Sequence, residues 1–198
     1  LSEFDAMLLT HSHHARLLGL SALVNGQREA GRPLLVFAPP QVVEDVRERA
    51  PYLWTEKNYR RAVQLRAIEG SLDLEDLQVS PIRVDHGTEG VAFGYLMGLR
   101  GRRLAYVPTM LRVTSEVRQA LSGLDLLVLG TSHYYDDTEM WKRSVMDVVT
   151  ASELIHELAP DQAILTYLSH TVEYDEISAK LAPEIRLAYD GLIVEMQE

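Results

Sequence analysis

The sequence has 198 residues, 46% of them hydrophobic and 24% charged, which is enough for one domain with a sizeable core. Its formal net charge of −10 repels phosphate backbones and disfavours nucleic acid as a partner; the basic stretches Arg60-Arg61 and Arg100 to Arg103 are short and read as solvated surface. Cysteine is absent, which excludes disulfides, zinc–thiolate sites and a thiol nucleophile and is compatible with a cytoplasmic location, and no apolar run approaches the roughly 20 residues that cross a bilayer.

The N-terminus carries no charged region followed by a cleavage site, so no signal peptide is expected. The apolar run Ala6 to Leu9 reads as a buried strand, and Leu17, Leu18, Leu20 and Leu23 follow at helical spacing. Leu34 to Ala38 reads as a second strand closed by Pro39-Pro40, after which Val42, Val43 and Val46 mark a helix face. Residues 51–75 are irregular apart from a strand at Val63 to Ile68. Strands then dominate, at Leu77 to Val84, Val91 to Met97 and Leu104 to Val107, with Gly101-Arg102 as a hairpin turn between the last two.

Thr114 can cap a short helix that ends before Gly123, because its hydroxyl accepts from the first unpaired backbone N–H groups. Leu126 to Leu129 is a continuous apolar strand, Asp147 to Leu158 a helix, and Ala163 to Leu168 a strand. Thr171 to Leu181 reads as a helix stopped by Pro183, and Ile185 to Tyr189 with Leu192 to Glu195 as a last strand pair around Asp190-Gly191. No repeat, low-complexity tract or linker interrupts the order, which predicts one continuous α/β domain over residues 1–198.

One segment gives the pattern a family. Thr10-His11-Ser12-His13-His14-Ala15-Arg16-Leu17-Leu18-Gly19-Leu20 resembles the T-H-x-H-x-D-H-x-x-G-L signature of the metallo-β-lactamase superfamily. Later segments resemble that family in the same order: Val84-Asp85-His86-Gly87 with Phe93-Gly94-Tyr95-Leu96, Leu104 to Thr109, Gly123 to Leu129, Ile164 to His170, and Leu187 to Leu192. The resemblance covers nearly the whole chain and is strongest to the phosphodiesterases related to the cyclic-phosphate enzyme of phosphonate breakdown (the PhnP-like branch). It implies a four-layer αββα sandwich, and the abrupt opening on a strand and a motif implies that N-terminal strands are missing or shortened. It also implies a hydrolase-like protein, since the family's imidazoles and carboxylates hold two divalent ions that turn a bridging water into hydroxide.

Several positions depart from that pattern. His11, His13 and His86 match the family's ligand histidines, but its aspartate falls on Ala15, its next histidine on Arg16, its bridging aspartate on Thr109 and its last histidine on Tyr167. Gly130 stands where the branch often has an acid. Ala15 has no donor, Arg16 carries a permanent positive charge, Thr109 lacks the bridging carboxylate, and Tyr167 ligates only as a phenolate. The expected metal site is therefore degenerate, with at most one weakly held zinc, manganese or iron on His11, His13 and His86, and no metal as the equal alternative.

Function divides accordingly. One reading is a phosphodiesterase-type hydrolase with a residual ion; the alternative is a metal-free pseudoenzyme, or an engineered pocket, that binds a small ligand or partner; a third is an oligomerising subunit. Arg16, Tyr167 and Asp190 are candidates to face the cavity and meet an anionic small molecule, although Arg16 can equally pair with Asp190 or Asp147, and Asp190 can simply form the Asp-Gly turn. His133 and His170 are candidates for substrate contact, with the segment His133 to Asp137 as a rim. His14 and His156 read as surface residues.

Overall fold

Residues 4–29, 31–55 and 62–196 are described in the structure, a computed structural model, without the side chains of Ala15 and Arg16. Arg60 and Arg61 lie outside the described residues. The chain divides into two compact units, Leu1–Ser71 and Leu72–Glu198.

In the smaller unit the apolar runs at Ala6–Leu8 (β1), Leu34–Ala38 (β2) and Val63–Ala67 (β3) form a parallel three-stranded sheet in the order β1-β2-β3. Parallel neighbours need crossovers, which helices supply. The loop after β1 leads into α1 (His14–Leu17) and α2 (Leu20–Glu29), and β2 is followed by α3 (Pro40–Arg49) and α4 (Tyr52–Thr55). Pro40 opens α3, where its missing N–H costs nothing, and the helix buries Val42, Val43 and Val46 as their spacing predicts. The irregular stretch expected from residue 51 thus contains one helical turn before β3.

The larger unit is built on a seven-stranded sheet in the order β10-β9-β8-β7-β6-β5-β4. Leu72–Leu74 (β4), Leu77–Asp85 (β5), Val91–Leu99 (β6) and Arg102–Val107 (β7) follow one another as antiparallel neighbours. Leu99 pairs with Arg102, so the β6–β7 turn is centred on Arg100 and Gly101, both with positive φ, one residue earlier than the sequence suggests. From β7 onward the neighbours are parallel: Leu126–Gly130 (β8), Gln162–Thr166 (β9) and Ile185–Leu187 (β10), joined through α5 (Ser115–Ala120), α6 (Val148–Leu158) and α7 (Tyr174–Ser178). Thr114 caps α5 by accepting from the Val117 N–H.

Two terminal expectations are corrected. The helix expected over Thr171 to Leu181 is confined to α7, because Thr171 is held by side-chain bonds to His133 and Ser169 and stays outside it. No ladder forms between β10 and residues 192–195; Ile193 there is 81% exposed, and the Leu192 N–H is taken up in a turn onto the Tyr189 carbonyl. Two sheets with helices, in the expected order, make the mixed α/β class that the sequence implies.

The core of the larger unit gathers side chains from β5, β7, β8, β9, β10 and α6, among them Val84, Val107, Leu127, Leu129, Ile155, Leu165 and Leu187. Asp147 caps α6, accepting from the Thr150 N–H, while its second oxygen lies 3.6 Å from the Arg143 guanidinium. Replacing Asp147 by alanine removes both a cap and a buried counter-charge. The expected loss is about 2 kcal/mol, the upper end for a cap, read as a lower urea midpoint; an unchanged midpoint would show that neither contact stabilises the fold.

Candidate functional site

Strand directions decide where a site forms. β5 and β7 both run antiparallel to β6, so they point the same way, and β8 and β9 run parallel to β7. The C-terminal ends of β5, β7, β8 and β9 therefore lie along one edge of the larger sheet, the edge at which α/β sheets hold ligands. His86 follows β5, Thr109 follows β7, Thr131 follows β8 and Tyr167 follows β9. The sequence thus delivers its motif positions to one edge.

At that edge His86 and Thr109 are buried and bonded to each other. Thr109 Oγ1 lies 2.5 Å from His86 Nδ1, and both atoms lie 3.1 Å from the Ser144 carbonyl oxygen. Thr109, which lacks the carboxylate that the family pattern has at this position, takes part in a three-way hydrogen bond. Asp85, next in chain to His86, accepts from the Gly87 N–H at 2.8 Å and pairs with Arg112, which fixes the turn after β5.

Backbone fit explains Gly130. A Cβ at this position would stand 1.9 Å from the Pro108 carbonyl oxygen, so the chain before Thr109 lies where a side chain would begin. The acid common in the related branch cannot be placed here without moving Pro108. Gly87 is constrained in the same way: its φ is +60° and a Cβ would meet the Arg143 carbonyl at 2.4 Å.

The segment expected to be a rim is mixed in character. Tyr135 is exposed, but Asp136 is largely buried and lies 3.6 Å from Arg143, which also bonds the Asp136 and Thr138 carbonyls. Burial pushes the Asp136 carboxyl upward, yet hydrogen bonds from the Thr138 side chain and backbone, with the charges of Arg143 and His133, outweigh it and hold the group below the usual carboxylate value. His133 is half-buried and its Nδ1 lies 2.9 Å from the Thr171 hydroxyl, while His170 is exposed. Tyr167 is 49% exposed with φ at +69°, an uncommon left-handed conformation for a bulky residue. Asp190 is exposed within its turn, and Asp147 is bound to Arg143.

In the smaller unit, Thr10, His11 and Ser12 form a buried loop after β1. Thr10 Oγ1 lies 2.9 Å from His11 Nδ1, and Ser12 donates to Asp45 on α3 at 2.9 Å. His13 and His14 are exposed, with the His11 and His13 rings 6.4 Å apart between centroids. The Arg16 side chain lies outside the described residues. His156 is exposed on α6, as expected. Among the described residues no three or more His, Asp or Glu side chains gather as an ion-binding group. Of the positions matched to metal ligands, the larger unit holds His86, Thr109 and Tyr167, of which His86 carries a neutral nitrogen donor.

The bond to Ser144 could not be foreseen, because a backbone carbonyl has no signature in sequence. The Asp136–Arg143–Asp147 group had a weak one, in two acids spaced around a lone arginine within a loop.

Comparison with known proteins bears on the family and the fold. Residues 1–167 match the model of the beta-lactamase superfamily domain. The coenzyme PQQ synthesis protein B of Methylobacterium sp. (strain 4-46) is 30% identical over 228 residues, covering 98% of this chain and 74% of that protein. An octanoyltransferase of Porphyromonas gingivalis is 28% identical over 97% of this chain, which spans only 38% of that protein's length. Among solved structures, a diphosphatase of the PhnP family superposes with a TM-score of 0.80 at 21% identity, covering 97% of this chain and 70% of that one.

Two outcomes are expected at this edge. Gly130→Ala should cost about 3 kcal/mol, the upper range for overpacking, whereas Gly98→Ala, with open space around its Cβ, should cost far less; equal urea midpoints would refute the close approach at Pro108. Because the folded-state carboxyl of Asp136 is lowered, its contribution to stability is complete above the unfolded value of about 3.9 and is lost as pH falls through the folded value. Asp136→Asn should therefore flatten the fall of the thermal midpoint below about pH 4, and an unaltered acid limb would contradict the assignment.

Proposed function

This chain belongs to the beta-lactamase superfamily, and on that premise we propose that it is a hydrolase-derived member that does not work through two bridged ions and binds a small polar ligand at the strand ends of its larger unit. One observation carries this reading: the Thr109 hydroxyl, at the position matched to the bridging aspartate, is committed to His86 and the Ser144 carbonyl. A neutral hydroxyl bonded in this way neither balances the charge of two dications nor spans them. The family's metals, where held, supply a Lewis acid and a hydroxide nucleophile. What this chain offers at the same edge is hydrogen bonding, through the half-buried His133 beside Thr171 and the His86 ring that Thr109 holds. His133 and the exposed His170 are suited to an anionic group such as a phosphoester, the substrate class suggested by the resemblance to phosphodiesterases.

A second reading keeps one weakly held zinc, manganese or iron in the smaller unit. It is favoured by the His11 and His13 rings, 6.4 Å apart in the loop after β1. Two imidazoles alone make a weak, chelator-sensitive site.

Metal content per chain, measured by plasma mass spectrometry after growth with all three metals supplied, separates these readings. The ligand-binding reading expects well under one ion per chain and a thermal midpoint indifferent to chelator. About two ions per chain, with phosphodiester hydrolysis abolished by chelator, would overturn it.

A further inference from the structure

The chain between β8 and α6 leaves the sheet and returns close to where it left. Near its start the Tyr134 carbonyl accepts from the Val149 N–H at 3.2 Å; near its end Met146 donates to the Met110 carbonyl at 3.0 Å and accepts from the Ser132 N–H at 3.2 Å. Tyr134 and Met146 pack with the core of the larger unit, but no residue from 135 to 145 joins it, and Tyr135, Met140 and Trp141 are exposed. A closed surface loop of this kind opens as a unit when few buried contacts hold it. One side chain ties its parts together. The Arg143 guanidinium, 15% exposed, donates to the Thr138 carbonyl at 2.7 Å and to the Asp136 carbonyl, and lies 3.6 Å from a carboxylate oxygen of Asp136 and of Asp147. The outgoing arm, the returning arm and the base of the loop thus meet on one cation. On the inner side the Ser144 carbonyl lies against Thr109 and His86, and the Arg143 carbonyl stands close to where a Cβ of Gly87 would be.

We propose that residues 135–145 form a lid over the strand ends of the larger unit, latched by Arg143 and opening about Tyr134 and Met146 while the sheet stays folded. Opening breaks the inner carbonyl contacts but adds little apolar exposure, because the large apolar side chains of the lid are exposed already. What it uncovers is Thr109, 4% exposed beneath the Ser144 carbonyl, and with it the polar edge to which the ligand is assigned. The latch consists of charge-assisted bonds in a largely buried setting, so loss of its cation leaves the Asp136 and Asp147 carboxylates without their counter-charge and favours the open form. The inference rests on the ligand-binding reading for what enters beneath the lid, but the motion belongs to the chain itself.

The sequence has no cysteine, so a single introduced thiol reports on the motion. Thr109→Cys places it beneath the lid; Val79→Cys places it in the interior near the opposite end of β5, where only global unfolding uncovers it. Alkylation by iodoacetamide is followed by intact-protein mass. Thr109→Cys should react more slowly than the same thiol in urea-unfolded protein, faster than Val79→Cys, and at a rate that low urea hardly changes, whereas low urea should speed Val79→Cys steeply. Adding Arg143→Met should speed the Thr109→Cys reaction about tenfold or more, the equivalent of one hydrogen bond to a charged group. A Thr109→Cys thiol that follows Val79→Cys in rate and urea dependence, or that reacts as freely as in unfolded protein, overturns the lid. A rate untouched by Arg143→Met overturns the latch, since an opening that leaves those bonds intact is blind to the substitution. Should Arg143→Met not fold, Asp136→Asn removes one arm of the latch and should speed the same thiol; no acceleration overturns it equally. Metal content keeps the two readings apart: two ions per chain with a gated thiol sinks the proposed function alone, and a thiol that reacts only through global unfolding in metal-free protein sinks this inference alone.

Discussion

The carbonyl of Pro108 occupies the space that a side chain at position 130 would need, and the polar edge of the larger unit depends on that contact. β7 and β8 run parallel there, so the chain leaving β7 must cross close to the end of β8 before it turns toward α5. Glycine permits the crossing with no side chain to displace. Thr109, the next residue, is thereby set against His86 at the end of β5. Glycine at 130 and threonine at 109 belong to one arrangement of this edge.

Much of the fold was legible because it follows from one-dimensional signals. The unbroken apolar runs Leu34–Ala38 and Leu126–Gly130 became central strands, and Val42, Val43 and Val46 lie on the buried face of α3 as their spacing requires. Failures occurred where tertiary contacts overrule local preference. Arg100 adopts positive φ in the β6–β7 turn, which nothing in an arginine announces. Thr171 is withdrawn from a helix by His133, 38 residues away in sequence. Leu192 to Glu195 carries strand-forming residues, yet it forms no ladder with β10 and leaves Ile193 81% exposed.

The site was legible in its positions and not in its bonding. The motifs brought His86, Thr109 and Tyr167 to the ends of β5, β7 and β9, where the structure has them. They could not say that Thr109 would turn to the carbonyl of Ser144, 35 residues on, because any residue at 144 would present the same atom. Gly130 read as a missing acid until the backbone around it gave a steric reason for its presence. Asp136 read as rim and is instead largely buried against Arg143.

The carboxylates behind this edge serve the fold. Asp136 and Asp147 flank the guanidinium of Arg143, and Asp147 also caps α6. Arg143 in turn presses its carbonyl toward Gly87, and the next carbonyl along, that of Ser144, receives His86 and Thr109. Two successive peptide oxygens are thus applied to the loop after β5, with a buried ion network behind them. Removing one member of this network leaves its partners unsatisfied, so these acids are held in place by the protein's own cation. The hydrogen-bonding atoms of this edge are thereby fixed in place, and the acids that stabilise it are already engaged within the fold.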